Sequence, residues 1–182
     1  MARGEAGSSL VEVLIAALVV TSGVVTMAQL FSVAIATNLT ARRGTVAAIL
    51  AQQKVEQLRA LAFGYDAAGV PFTDTATDTT RTPPAAGGTG LRLSPLAALR
   101  QNTAGFVDHL GGDGRVVGSG AQPPAEAVFT RRWSVEPVPA SPDDALVIQV
   151  LVTTTSREAV ATNGGTNPPH GEARVVTVRT RR

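Results

Sequence analysis

The chain contains no cysteine, which excludes disulfides, thiolate metal sites and cysteine nucleophiles. It leaves the redox compartment open, because the absence fits either side of a membrane. Histidine is limited to His109 and His170, so imidazole chemistry is thin as well. Aromatic residues make up 4% of the 182 residues against 44% hydrophobic residues, and any core must therefore be mostly aliphatic. That length allows one modest globular domain plus an appendage. Charge of one sign is also lacking: 16 basic and 14 acidic residues leave a formal net charge of +2. The basic residues are nearly all Arg, which lifts the isoelectric point to about 9.9, but they are scattered along the chain. Such a distribution is poor support for a nucleic-acid partner, and none is expected.

Charge is scarcest near the N-terminus. From Ser8 to Thr40 the only ionisable side chain is Glu12, and Leu10 to Ile35 is rich in Leu, Val, Ile and Ala, longer than the roughly 20 residues a helix needs to cross a bilayer. The stretch reads as a membrane span. A buried core helix would normally be shorter or show a polar stripe. A cleaved secretory signal is the stronger competitor, because Ala34-Ile35-Ala36 has the small-x-small form of a signal-peptidase site. Its apolar region would then be far longer than the usual range of roughly 7 to 15 residues, and it would contain an acid. An ionised carboxylate in hydrocarbon is costly unless paired, so Glu12 is a functional-site candidate that needs a partner. No cationic side chain lies near it in the span. A cut after Gly7 would create a free amine at Ser8, about one helical turn away.

"GSSLVEVLIAALVV" resembles the prepilin N-terminal motif of type IV pilins and type II secretion pseudopilins. That motif is a short leader ending in Gly, followed by an apolar helix whose fifth mature residue is Glu. Gly7 matches the end of the leader, Leu10, Val11 and Val13 the apolar positions around the acid, and Glu12 the acid itself. Ser8 stands where the family usually has Phe or an aliphatic residue. The resemblance implies that a prepilin peptidase cleaves between Gly7 and Ser8 and methylates the amine of Ser8. It also implies that Glu12 neutralises a neighbouring subunit's amine as subunits pack, so that the partners are other major and minor pilins or pseudopilins, with inner-membrane lipid before assembly. The Pro common partway along the membrane helix of major pilins is absent, while Gly23 offers a milder weak point. These features favour a minor subunit in a priming or tip role.

"AAILAQQKVEQLRALAFG" is similar to the second half of the pilin helix in the minor branch. Read by its own periodicity it is an amphipathic helix, with Ala47, Ala51, Val55, Leu58 and Ala62 on one face and Leu50 and Leu61 widening the stripe. Gln52, Lys54, Glu56 and Arg59 are expected on the solvated side, and Gly64 is a plausible stop. Arg42 and Arg43 mark the exit from lipid. Loop charge gives little support for orientation, so a cytoplasmic N-terminus and a periplasmic globular domain follow from the resemblance.

Residues 65–101 are rich in Thr, Pro, Gly and Ala without sustained periodicity, which predicts a long surface loop. Asp66, Asp74 and Asp78 match no calcium-loop spacing and read as solvated turn residues. "FVDHLGGDGRVVG" predicts a hairpin about Gly-Gly-Asp-Gly. "AVFTRRWSVEPV" sets Phe129, Trp133 and Val135 on one side of a strand with Arg131, which must lie near an edge or snorkel. "DALVIQVLVTTT" turns Leu146, Ile148, Val150 and Val152 inward, and "ARVVTVRTRR" sets Val176 and Val178 against Val175 and Thr177. Short connections favour an antiparallel meander covered by the Thr45 to Phe63 helix. The expected inward set is Leu50, Val55, Leu58, Trp133, Ile148, Val150 and Val178.

No catalytic constellation stands out. Asp108 and His109 are adjacent on a strand and point to opposite faces, and both His109 and His170 read as surface residues. The glycine tracts lack phosphate-loop context, and Asn38-Leu39-Thr40 is a chance-level sequon. No enzyme activity, cofactor or metal is expected. The sequence thus reads as an α+β, pilin-like chain in which a long N-terminal helix packs against a C-terminal antiparallel sheet. Its parts are a leader over 1–7, a transmembrane and assembly helix over 8–40, an amphipathic second half over 41–64 and a periplasmic β domain over 65–182. The expected role is a minor subunit of a type IV pilus or type II secretion pseudopilus in the bacterial inner membrane. The alternative is a signal-anchored periplasmic binding module or adhesin that never assembles.

Overall fold

A computed structural model describes residues 9–155 and 172–181. The leader, Gly7, Ser8 and His170 lie outside the described residues. The chain divides into two units, one ending at Ala41 and the other beginning at Arg42, and one helix, α1 (Leu10–Arg59), contributes to both. The sequence favours this helix throughout: it holds no proline, and its few glycines are isolated.

In the second unit, the strands are β1 (Phe63–Tyr65), β2 (Pro71–Thr73), β3 (Thr77–Asp78), β4 (Ala85–Ala86), β5 (Val107–Leu110), β6 (Val116–Gly118), β7 (Phe129–Val138), β8 (Ser141–Thr154) and β9 (Ala173–Thr180). Five of them form an antiparallel sheet in the order β6-β5-β7-β8-β9. The expected meander therefore holds from β7 to β9, whereas β5 and β6 form the glycine hairpin and the connection from β6 to β7 passes over β5. Ala47, Leu50, Ala51, Val55 and Leu58 of α1 are buried in one core with Phe106, Leu110, Phe129, Trp133, Val135, Leu146, Ile148, Val150 and Val152 of the sheet and its approach. The chain is α+β, a long apolar N-terminal helix packed through its second half on a C-terminal antiparallel sheet.

Four expectations need correction. The helix ends at Arg59, before Phe63 and Gly64. Leu61 N–H already bonds the Leu58 carbonyl at 3.4 Å, a tightened last turn that lets Phe63 enter the core and pair with Thr73 as a strand. The 65–101 region is not all loop. It carries two small ladders, β1-β2 and β3-β4, and it sends Leu91 and Ala98 into the core. Its aspartates do organise turns: Asp66 accepts the amides of Ala68 and Val70, and Asp74 those of Ala76 and Thr77. The Thr77 hydroxyl, hydrogen bonded to Asp74, holds that carboxyl below the usual range.

Val178 faces outward and is 60% exposed. The pairs Ile148↔Thr177 and Val150↔Val175 place Ala173, Val175, Thr177 and Arg179 on the core side. Because side chains alternate along a strand, a register one residue different would exchange the two sets. Finally, Lys54, His109 and Arg131 are buried, against their expected solvated or edge positions.

Candidate functional site

The N-terminal segment is set by its first turn. The hydroxyl of Ser9 accepts the Val11 N–H at 3.3 Å and its carbonyl accepts the Val13 N–H at 3.2 Å, which makes Ser9 the helix N-cap. Glu12 is then the third helical residue. Ser9 and Glu12 have the spacing of a capping box, and a carboxylate there also interacts favourably with the helix dipole. Of the expected processing and assembly residues, Leu10, Val11, Glu12 and Val13 are brought together in this one exposed turn, while Gly7 and Ser8 lie outside the described residues.

Beyond it, large apolar side chains are exposed all round the helix, from 77% at Leu10 to 50% at Leu39. The segment is long and apolar enough to cross a membrane. Several of its hydroxyls turn inward on their own backbone: Thr21 donates to the Ala17 carbonyl at 2.6 Å, Ser22 to Val19 at 2.9 Å, Thr26 to Ser22 at 2.8 Å and Thr40 to Ala36 at 3.0 Å. Thr37 donates to the Val33 carbonyl in the same way. Polar groups satisfied within the helix are compatible with surroundings that offer no hydrogen bonds. Arg42 and Arg43 are exposed where this stretch ends.

The second unit contains a buried ionic cluster between α1 and the sheet. Asp108 of β5 lies opposite Arg131 of β7. Arg131 donates Nε to Asp108 Oδ1 at 2.9 Å and Nη2 to Oδ2 at 2.8 Å, and Lys54 of α1 donates Nζ to the same Oδ2 at 3.0 Å. Arg131 Nη1 reaches the Leu50 carbonyl at 3.0 Å. Lys54 also donates to the Thr79 carbonyl and sits 3.7 Å from the centroid of the Trp133 ring, a cation–π geometry. Both Lys54 and Asp108 are fully buried. Burial pushes the Lys54 ammonium down from 10.5 to about 8, against the attraction of Asp108, which holds it up.

Sequence reasoning missed this cluster, although its parity signal was present. Lys54 falls four residues from Leu50 and four from Leu58 on the apolar stripe, Arg131 alternates with Phe129 and Trp133, and Asp108 with Phe106 and Leu110. Each charge occupied a core position, but Lys54 was read as solvated and Arg131 as lying near an edge or snorkelling, because charges are usually exposed, and Asp108 was given no partner.

On the opposite face of the sheet, His109 is buried with Nε2 2.8 Å from the Gly120 carbonyl and Nδ1 3.2 Å from Thr130 Oγ1. The carbonyl can only accept, so Nε2 donates to it, while Nδ1 and the Thr130 hydroxyl share the second hydrogen bond. The ring is thereby occupied in structure. An open groove of about 930 Å3 between the β3-β4 hairpin and β6 is lined by Gln53, Arg81, Pro83, Arg115, Val117 and Ser119. Both arginines are exposed, each 3.6 Å from an acid, Asp78 and Asp113 respectively. Among the described residues no group of three or more potential metal ligands converges.

No protein-family model matches the chain, and neither do curated proteins nor solved structures. What the chain displays by itself is a helix long and apolar enough to cross a bilayer, opening on a carboxylate, joined to an α+β unit with one buried ionic cluster, Lys54–Asp108–Arg131, in its core.

Proposed function

We propose that the chain is a structural minor subunit of a type IV pilus or type II secretion pseudopilus, cleaved by a prepilin peptidase after Gly7 and assembled through α1. The observation that carries the reading is Glu12, a carboxylate in the first turn of a helix whose other side chains as far as Thr40 are non-ionisable. Cleavage would place a free amine at Ser8, one residue before the N-cap, where it can neutralise Glu12 of an adjacent copy or partner pilin. Neither charge is stable alone in an apolar filament core. Before assembly the same helix anchors the chain in the inner membrane, with the unit from Arg42 onward on the periplasmic side.

The capping geometry of Ser9 supports a second reading, in which Glu12 only caps the helix of a signal-anchored binding module that does not assemble. The two readings separate on Glu12→Gln, because glutamine serves in a capping box as glutamate does but carries no charge. Under the assembly reading Glu12→Gln inserts and is processed, yet co-purifies poorly with other pilins, as does Glu12→Ala. Wild-type co-purification of Glu12→Gln would contradict charge pairing and leave the cap as the role of this residue.

A further inference from the structure

We infer that the apolar half of α1 pairs in parallel with the same helix of a second copy, through a face centred on Gln29. The inference rests on the reading of that half as a bilayer span. Between Leu10 and Thr37, Gln29 is the only side-chain amide. At about 1.5 Å per residue it stands about 25 Å along the axis from Glu12 and about 20 Å from Arg42. Every span of roughly 20 residues that fits between those two charges contains it, and its short side chain reaches neither. The hydroxyls of Thr21, Ser22, Thr26 and Thr37 are satisfied on carbonyls of their own helix. The Gln29 amide is exposed and makes no hydrogen bond among the described residues. It presents two N–H donors and a carbonyl acceptor, which are costly to leave unpaired in hydrocarbon.

A partner for this amide must offer a donor and an acceptor at the same depth. A second copy does so by construction: copies inserted with one topology are parallel, their Gln29 side chains lie level, and each amide can donate to the carbonyl of the other. A helix of different sequence would need a polar group placed at that level independently. The surrounding face suits a close pair. Ser22, Val25, Gln29, Ser32 and Ala36 follow one another at alternating steps of three and four residues, the spacing of a helix–helix seam, and Ser22, Ser32 and Ala36 are small enough to let two backbones approach. The opposite face carries the bulkier Val20, Met27 and Phe31, all exposed. The contact is separate from the one proposed for Glu12. Level copies set Gln29 against Gln29, whereas an amine at Ser8 lies four residues, about 6 Å, from the level of a neighbour's Glu12, so the Gln29 pair belongs to the membrane pool before assembly.

The test is disulfide cross-linking of the full chain in the membranes of the cells that express it, and the absence of native cysteine leaves a clean background. Single substitutions Ser22→Cys and Ala36→Cys lie on the seam, and Val20→Cys and Ala34→Cys lie at matching depths away from it. Parallel copies bring identical positions together, so the two seam variants should give a product of twice the chain mass and the other two little of it. Adding Gln29→Leu to Ser22→Cys should lower the dimer about three- to tenfold, as expected for one interhelical amide contact, while Gln29→Asn should keep most of it. Equal yields on the two faces, or an undiminished yield with Gln29→Leu, would overturn the proposal. A product of any other mass would assign the face to a different protein and overturn the second copy. Alkaline extraction of the same membranes separates the pairing from the span: a chain that stays in the pellet without cross-linking contradicts the pairing alone, and one released to the supernatant contradicts the span.

Discussion

The two parts of α1 form one unbroken helix and obey opposite rules. From Leu10 to Leu39 the surface is apolar on every side and exposed on every side, so nothing in the described chain supplies its burial. From Ala47 to Leu58 the same helix has one buried stripe, and the sheet of its own chain supplies the cover. A stripe identifies a partner within the molecule; apolarity all round calls for one outside it, either lipid or other helices. The acids differ in the same way. Asp108 is surrounded by cations of its own chain, whereas Glu12 lies in a stretch with no cationic side chain from Ser8 to Thr40.

The contrast is broken most severely at Asp108. Asp108→Ala leaves Lys54 and Arg131 buried without their anion and should cost about 3 to 5 kcal/mol in urea-unfolding experiments. Ile148→Ala opens the fully buried sheet centre and should cost about 2 to 5 kcal/mol, whereas Val178→Ala on the exposed face of β9 should stay within about 0.5 kcal/mol. Equal losses for these two would mean that the register of β9 is misassigned.

A subtler probe is pH. The pKa of Lys54 is 10.5 unfolded and about 8 folded, so between these values the unfolded chain binds more protons and stability must rise with pH. The cost of burying the charged amine is fully present below about pH 8 and relieved by about pH 10.5, a total of about 3 kcal/mol at about 1.4 kcal/mol per pH unit. Lys54→Met should flatten this rise. An equally steep rise in Lys54→Met would assign it to other groups. The smallest effect belongs to the exposed stretch: Leu18→Ala should change the unfolding of the second unit by less than about 0.5 kcal/mol, a loss larger than that showing that this side chain is covered within the chain.

The alternation of β7 was legible because Phe129, Trp133 and Val135 share one parity against Thr130, Arg132 and Ser134, and that of β8 because Leu146, Ile148, Val150 and Val152 form an unbroken apolar set while the reverse face mixes Val147 and Leu151 with Ala145 and Gln149; Trp133, Ile148 and Val150 are buried as that pattern requires. β9 was not legible, since Val175, Val176 and Val178 put apolar residues on both parities and only pairing with β8 decides between them. The end of α1 was misplaced because Leu61 and Ala62 continue the helical pattern, while Phe63 is claimed by the core and its ring is covered by Arg181, whose guanidinium carbon lies 4.1 Å from the centroid. That tertiary demand has no local signature. His109 was obscured for a related reason: its partners, Gly120 and Thr130, are supplied by the turn after β6 and by β7. Of the candidate assembly site, the helical first turn and its exposure follow from composition. The pairing of Glu12 with an amine that we propose would form between chains, so no feature of the isolated chain encodes it.

The central claim is that α1 begins at a processed terminus and works by assembling. Its most direct test is the intact mass of the protein extracted from membranes, for the wild type and for a variant with a bulky residue at Gly7. Cleavage after Gly7 predicts a wild-type chain starting at Ser8, with or without one added methyl group, and full-length precursor in the variant. A chain starting at Thr37, or processing at Ser8 unchanged by the substitution at Gly7, would contradict it.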